Sequence, residues 1–367
     1  MVSTLDIKPP PPPHPTDTAQ ASVPSSQYLI KQRVQLGKGT TFLPGKKDPS
    51  IQPLIDHVLE HGYVILEKLY TPAEVSLALE EVGRLEALES SGPASRGGRN
   101  PFEGLSTKRI YSLPDKSRAF DPFAIHPTVL ALNDYFLQPH YLLNTFQSST
   151  IEPGEEKQVM HTDDGLIPLP RPKPLMGIVR VPFPSDEKLL LFSSVFVLDY
   201  ISTICQRSAM LNKPLQGTMI SLDAFTTTNG ATTVIPGSHL WSDERLPSRE
   251  EMVPVVMPAG SMVYFLNTLW HSGGANSSSA PRRSLNVQYC QPWIRSFENM
   301  TVAKGWEDLD ELPPRLLALL GFSTHSFMGA VDGRSPRTGV ELRKKRLIEW
   351  ALREREKGSL KGVGSKL

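Results

Sequence analysis

Apolar residues in this chain gather into short runs bounded by Gly, Pro, Asn and Asp, the signature of strands joined by turns. The clearest are Gly62-Tyr63-Val64-Ile65-Leu66, Arg109-Ile110-Tyr111-Ser112-Leu113, Tyr141 to Ile151, Met262 to Leu266 and Arg283 to Tyr289. Asn229-Gly230 between two extended runs predicts a tight hairpin. Thr71-Pro72-Ala73-Glu74 supplies an N-cap residue, a first-turn Pro and a first-turn acid. A helix is therefore expected to about Leu88, with Val75, Leu79, Val82 and Leu85 or Leu88 on one face. Further helices are expected over His126 to Leu137, Leu309 to Leu320 and Val340 to Glu356, the last charged and solvated. The pattern is mainly β with flanking helices.

The remaining stretches set boundaries. Residues 1–26, with Pro9 to Pro13 and a run of Ser, Thr, Ala and Gln, cannot bury enough apolar surface to offset ordering entropy and read as a disordered tail. Residues 27–336 form the expected folded domain, and 337–367 a terminal helix and tail. Lys+Arg 39 against Asp+Glu 38 gives a net charge of +1, which offers nothing to nucleic acid. Two cysteines, Cys205 and Cys290, give neither a disulfide framework nor a cysteine metal site. No secretory signal opens the chain, and the apolar run Leu189 to Leu198 is too short for a membrane span. Ser365-Lys366-Leu367 ends the sequence and reads as a peroxisomal address, which would be bound by the peroxisomal import receptor.

The candidate chemistry lies in Gln158-Val159-Met160-His161-Thr162-Asp163. In an extended chain residues two apart point to one side, so His161 and Asp163 can offer an imidazole and a carboxylate to one ion. A second imidazole, from His271, would complete two histidines and one carboxylate, the facial set of non-haem Fe(II) oxygenases. His-x-Asp alone is weak, since roughly one histidine in ten has an acid two places on by composition. Context strengthens it. His271 closes the apolar run Met262 to Leu266 and enters Gly273-Gly274, and Arg282 opens the returning strand. A strand, a turn and a returning strand would set Arg282 beside His271, where a guanidinium can grip a carboxylate with two hydrogen bonds.

His161-Thr162-Asp163, His271, Arg282 and the segment Asn229 to His239 together resemble the phytanoyl-CoA dioxygenase family, especially its fungal members. The likeness runs from about Val58 to Trp293, and more loosely to Pro336. It implies a double-stranded β-helix (jelly-roll, cupin-like) core, and Fe(II) with 2-oxoglutarate and O2 as co-substrates. His161, Asp163 and His271 would ligate iron, and Arg282 would bind the distal carboxylate of 2-oxoglutarate. Gln158 matches a position that contacts the same co-substrate. Arg109 is a second basic candidate for 2-oxoglutarate or a substrate carboxylate, or else a surface arginine. Thr232 can turn its hydroxyl inward to the co-substrate or pack on its strand. Asp164 reads as a solvent-facing residue or a supporting neighbour of the ligands. The implied reaction is hydroxylation, desaturation or epoxidation of a small organic substrate such as a secondary metabolite or an acyl-CoA. Asp163 argues against halogenation, in which that position is vacated for halide. A homodimer is compatible with this reading. Alternatives are a cupin-type metalloenzyme without 2-oxoglutarate, or an inactive relative.

The last alternative arises from residues 178–217, which have no counterpart recognised in the family and separate segments that ordinarily run together. They end in Leu211-Asn212 and Gln216, which branch-point-like and acceptor-site-like codons can encode. We read the stretch as a retained intron translated into the sequence. A genuine lid over the site is the other reading.

Overall fold

The computed structural model describes residues 50–88, 100–166, 215–306, 308–325 and 328–356. The expectations for the 1–26 tail, most of the 178–217 insertion, Cys205 and Ser365-Lys366-Leu367 lie outside those residues.

Nine strands form two antiparallel sheets among the described residues. They are β1 (Tyr63–Leu66), β2 (Lys108–Ile110), β3 (Leu142–Ile151), β4 (Leu215–Ser221), β5 (Thr232–Val234), β6 (Val253–Pro254), β7 (Met262–Leu266), β8 (His271–Gly273) and β9 (Arg282–Cys290). The larger sheet runs β1-β7-β4-β9-β3-β2 and the smaller β6-β5-β8. Consecutive strands alternate between the sheets over β7, β8 and β9, which is the winding of a double-stranded β-helix. The expected core is present.

Helices cover one face of the larger sheet. They are α1 (Gln52–His61), α2 (Pro72–Leu88) and α3 (Pro127–Phe136), while α4 (Pro336–Glu356) comes last in the chain. Thr71 and Glu74 cap the start of α2 reciprocally: the Glu74 carboxylate accepts from Thr71 N, and the Thr71 hydroxyl accepts from Glu74 N. Val75, Ala78, Val82 and Leu85 of α2 are buried, whereas Leu88 is exposed. They join Val58, Val129 and Phe136 against Tyr264, Leu266, Leu285, Val287 and Tyr289 of the sheet. Each such side chain removed from water contributes about 1.5–3 kcal/mol. The opposite face of the sheet carries Met219, Val263 and Phe265, which meet Phe225, Val234, Val255 and Leu269 between the sheets.

Three sequence expectations change. The Asn229-Gly230 turn has Gly230 at φ +83°, yet it does not close a hairpin. β5 pairs with the downstream strands β6 and β8 instead, because the winding spends its edges on the smaller sheet. Tyr111 to Leu113 leaves the strand after Ile110, since Ser112 takes φ +54° and caps a short turn of helix from Leu113. The expected helix over Leu309 to Leu320 breaks into a 3-10 turn, a four-residue helix and a wide turn around Gly321 at φ +95°. In α4, Leu347 and Trp350 are exposed. No helix among the described residues is long and apolar enough to cross a membrane.

Candidate active site

Alternation along β9 sends Arg282, Ser284, Asn286 and Gln288 to one face and Leu285, Val287 and Tyr289 to the other. The second set belongs to the helix-covered core, so the first faces the space between the sheets. Directly paired residues share a face. Arg109 opposite Ser149, Ser149 opposite Ser284, and Gln147 opposite Asn286 therefore line the same interior. Thr232 shares its face of β5 with Val234 of the inter-sheet cluster, and so lies on the facing wall. The interior is polar at one end and apolar at the other.

At the polar end stand His161, Asp163 and His271. One potential ligand atom from each lies within 4.8 Å of the others. Asp163 Oδ1 is 3.4 Å from Nε2 of His161 and 3.4 Å from Nε2 of His271. A metal about 2.1 Å from two cis donors would hold them roughly 3 Å apart, close to the spacing present. The other nitrogen of each ring is already engaged. His161 Nδ1 lies 2.9 Å from Val159 O, and His271 Nδ1 lies 3.0 Å from Leu269 O. Donating to those carbonyls fixes the tautomer and leaves each Nε2 lone pair facing Asp163. The residues fit a divalent metal with three protein donors.

The backbone that achieves this is not the regular strand the His-x-Asp spacing suggests. His161 and His271 form an isolated antiparallel bridge, with reciprocal backbone hydrogen bonds of 2.9 and 3.0 Å. Asp163 and Asp164 then enter a 3-10 turn, Asp163–Leu166. The bridge brings the rings to 4.3 Å between centroids, and the turn swings the carboxylate back between them. Asp164 is fully buried, so the solvent-facing option for it is wrong. Its backbone N–H donates to Asn267 O at the end of β7, and the turn folds inward there.

Electrostatics follow from the geometry. Burial alone would push the Asp163 carboxyl up, but the adjacent His271, and then His161, hold it well below the usual carboxylate range. Burial lowers His271, and the adjacent Asp163 reverses the direction and holds it above the ordinary histidine value.

Arg282 is buried at 2% exposure. It donates to Ser284 Oγ at 2.7 Å and to Gly230 O at 2.6 Å, and its Cζ lies 4.3 Å from the centre of the Phe225 ring. Among the described residues its Nε has no partner, and no carboxylate meets it in a hydrogen bond. Burial, then repulsion by Arg109, brings its pKa down from 12.5 to about 9, against some support from Asp223. The guanidiniums of Arg282 and Arg109, close enough to repel each other, thus face the same interior. Such an arrangement suits an anionic ligand with more than one polar end.

Gln158 and Arg109 have a further task. Gln158 accepts from Gly273 N at 3.0 Å through Oε1 and donates to Phe102 O at 2.7 Å through Nε2. Arg109 donates from Nε and a terminal nitrogen to Glu103 O, at 3.2 and 3.1 Å. Together they tie residues 100–107 over the site, where the Phe102 ring meets His161 edge-on at 4.8 Å. Glu155 fastens the same loop by accepting from Leu105 N, Ser106 N and Thr107 Oγ1.

Sequence reasoning missed Gln288 and Asn144. Gln288 Nε2 donates to Asp163 Oδ2 at 2.9 Å, and Asn144 Nδ2 donates to Gln288 Oε1 at 3.0 Å. Gln288 could have been suspected from the β9 alternation that also places Arg282. Asn144 could not, because it sits at a β-bulge where the β3–β9 register shifts between Leu143 and Thr145.

A family model described as Phytanoyl-CoA dioxygenase (PhyH) matches residues 202–284 and begins inside the stretch 178–217. Dioxygenase af480 of Aspergillus fumigatus is 24% identical over 276 residues, spanning 73% of this chain and 75% of its own length. Dioxygenase trt7 of Aspergillus terreus is 27% identical over 233 residues, 62% of this chain and 69% of its own. Among solved structures, the epimerase SnoN in complex with Fe3+, alpha ketoglutarate and nogalamycin RO aligns with a TM-score of 0.47 and 21% identity. That alignment covers 67% of this chain and 85% of that one.

Proposed function

We propose, from the premise that this chain belongs to the phytanoyl-CoA dioxygenase family of Fe(II)- and 2-oxoglutarate-dependent enzymes, specific roles for its residues. His161, Asp163 and His271 hold the iron, and Arg282 takes the distal carboxylate of 2-oxoglutarate. The observation that carries this reading is the buried Arg282 guanidinium, with an unpartnered Nε and no carboxylate hydrogen-bonded to it, in the same interior as the three ligands.

Iron with 2-oxoglutarate and O2 supplies oxidation of an unactivated C–H bond, coupled to decarboxylation of the co-substrate to succinate and CO2. The residues of this chain supply the rest. Arg282 orients the co-substrate by its far end, so that its keto-acid end points at the ligands. Arg109 and Thr232, on walls of the same interior, contact the co-substrate from the sides, and Gln158 does so from the rim. Val263, Phe265 and Leu269 keep the other end dry, which favours an apolar substrate carbon there. The substrate is a small organic molecule of the secondary-metabolite or acyl-CoA kind, and the outcome is hydroxylation, desaturation or epoxidation.

The test is succinate formation from 2-oxoglutarate under air. Succinate should require added Fe(II) and vanish in His271→Ala. Unchanged succinate formation in both His271→Ala and Arg282→Ala would overturn the assignment.

A further inference from the structure

The two oxygens of Asp163 are not equivalent. Oδ1 faces both imidazoles, and Oδ2 accepts from Gln288. We propose that Gln288, aimed by the bulged Asn144, is the residue that keeps Asp163 a one-oxygen ligand and so sets how many coordination positions remain open. This proposal rests on the ligand set argued above.

The direction of the hydrogen bonds supports it. Side-chain amides can be built either way round, and only the network fixes their orientation. Here the network begins at a group that cannot turn. Phe297 N, a backbone donor, gives its hydrogen to Asn144 Oδ1 at 2.9 Å. That fixes the Asn144 carbonyl, so its Nδ2 must point the other way, into Gln288 Oε1. The Gln288 carbonyl is then fixed in turn, and its Nε2 is left to face Asp163 Oδ2. Each step forces the next. The line ends with a donor on one carboxylate oxygen.

The surroundings hold that line still. Asn144 and Gln288 are 6% and 8% exposed. Glu298 N donates to Asn144 O at 3.0 Å, and the Glu298 carboxylate accepts from Ser112 N and Phe146 N. The bulge matters most. Leu143 and Phe146 both belong to the helix-side core, so an unbroken alternation has room for one inward residue between two such positions. The extra residue gives two, and both Asn144 and Thr145 stand against Gln288. Bulges near functional sites commonly re-aim one side chain in this way.

A carboxylate without such a partner is free to rotate and present both oxygens to a metal, which consumes a position that a co-substrate needs. Outer hydrogen-bond partners of metal ligands typically change metal affinity by about 10–100-fold.

Co(II) reads this out without turnover, through its dissociation constant and through a visible spectrum sensitive to coordination number. Three single variants, and the double variant of the first two, are compared with the wild-type chain. Gln288→Leu removes the donor. Asn144→Asp keeps the acceptor for Phe297 N but offers Gln288 no donor, so the glutamine turns and presents its carbonyl to Asp163. His271→Ala removes a proposed ligand. We expect Gln288→Leu and Asn144→Asp each to weaken Co(II) about 10–100-fold and to alter the spectrum. The double variant should be no weaker than Gln288→Leu alone, because the two residues act in series. Wild-type affinity and spectrum in both single variants, with Co(II) lost in His271→Ala, would overturn the role of Gln288. Multiplying losses in the double variant would overturn the series. Wild-type Co(II) binding in His271→Ala would overturn the ligand reading instead. If Gln288→Leu fails to fold by circular dichroism, Asn144→Asp carries the same test.

Discussion

Gln216 lies in β4, paired with Leu266 on one side and Tyr289 on the other, and both neighbours belong to the helix-side apolar core. It is fully buried, and neither atom of its amide has a hydrogen-bond partner. An unsatisfied buried amide costs about 1–3 kcal/mol. Its neighbour Gly217 has no room for a side chain, since a Cβ there would come within 2.6 Å of the Phe265 ring. The sequence offers a better start to this strand forty residues upstream. Removing 178–217 joins Leu175-Met176-Gly177 to Thr218, in place of Leu215-Gln216-Gly217. Leu and Gly return to their positions, and Met replaces the stranded amide. The retained-intron reading therefore predicts that the shortened chain keeps the β4 pairings and unfolds at a higher temperature. The expected gain is about 1–3 kcal/mol, worth roughly 2–4 °C per kcal/mol in a domain of this size. Gln216→Met in the full chain isolates the local part and should raise the melting temperature in the same direction. Thermal unfolding by circular dichroism measures both, and transcript sequencing across the junction checks the origin. A shortened chain that no longer unfolds cooperatively, or a Gln216→Met variant less stable than the parent, would refute the argument.

Other consequences can be checked separately. Below pH 9 the displaced pKa of Arg282 costs the charged fold up to about 5 kcal/mol, because the folded chain binds that proton less tightly than the unfolded chain. Arg282→Met should therefore stabilise the co-substrate-free protein while weakening 2-oxoglutarate roughly 30- to 5,000-fold; calorimetry giving an unchanged Kd would contradict this. Metal binding requires neutral imidazoles. Because Asp163 holds His271 above the ordinary value, Co(II) affinity should begin to fall somewhat above pH 6.5 and drop about tenfold per pH unit for each imidazole protonated. A flat titration from pH 8 to 5.5 would count against these ligands. Burial raises the Asp121 carboxyl to about 6, against the pull of Arg118. The folded chain holds that proton more tightly than the unfolded one, so its stabilisation is complete below 3.8 and lost as pH rises through 6. Asp121→Asn should thus raise the melting temperature at pH 8, by up to about 3 kcal/mol of stability, and leave it nearly unchanged below pH 3.8.

The chemistry of the site was more legible than its architecture. Residue type and order singled out His161, Asp163 and His271, which the structure brings together, and Arg282, which it buries in the same interior, because the proposed ligands and anion grip need those side chains whatever backbone carries them. The reason given for His161 and Asp163 was wrong in detail. A two-residue spacing suggests one strand face, and the chain instead uses a single bridge followed by a 3-10 turn. Sequence does not encode that choice locally, since the bridge partner His271 is remote. The hairpin expected at Asn229-Gly230 failed for the same reason: the turn is real, and its strands pair elsewhere. Asn144 was invisible because a bulge depends on the register of two strands. Gln158 and Arg109 were noticed as chemistry, but their hold on the 100–107 loop rests on backbone carbonyls, which have no sequence signature.

That loop governs passage as well as position. Phe102 stands against the outer edge of His161, and its segment is fastened at three points, by Gln158, by Arg109 and by Glu155. Swinging it aside would break bonds to three separate parts of the fold at once, two of them made by charged side chains. Opening this edge therefore costs more than a motion that leaves these bonds in place. The loop is a doorjamb, a fixed border of the site rather than a moving cover.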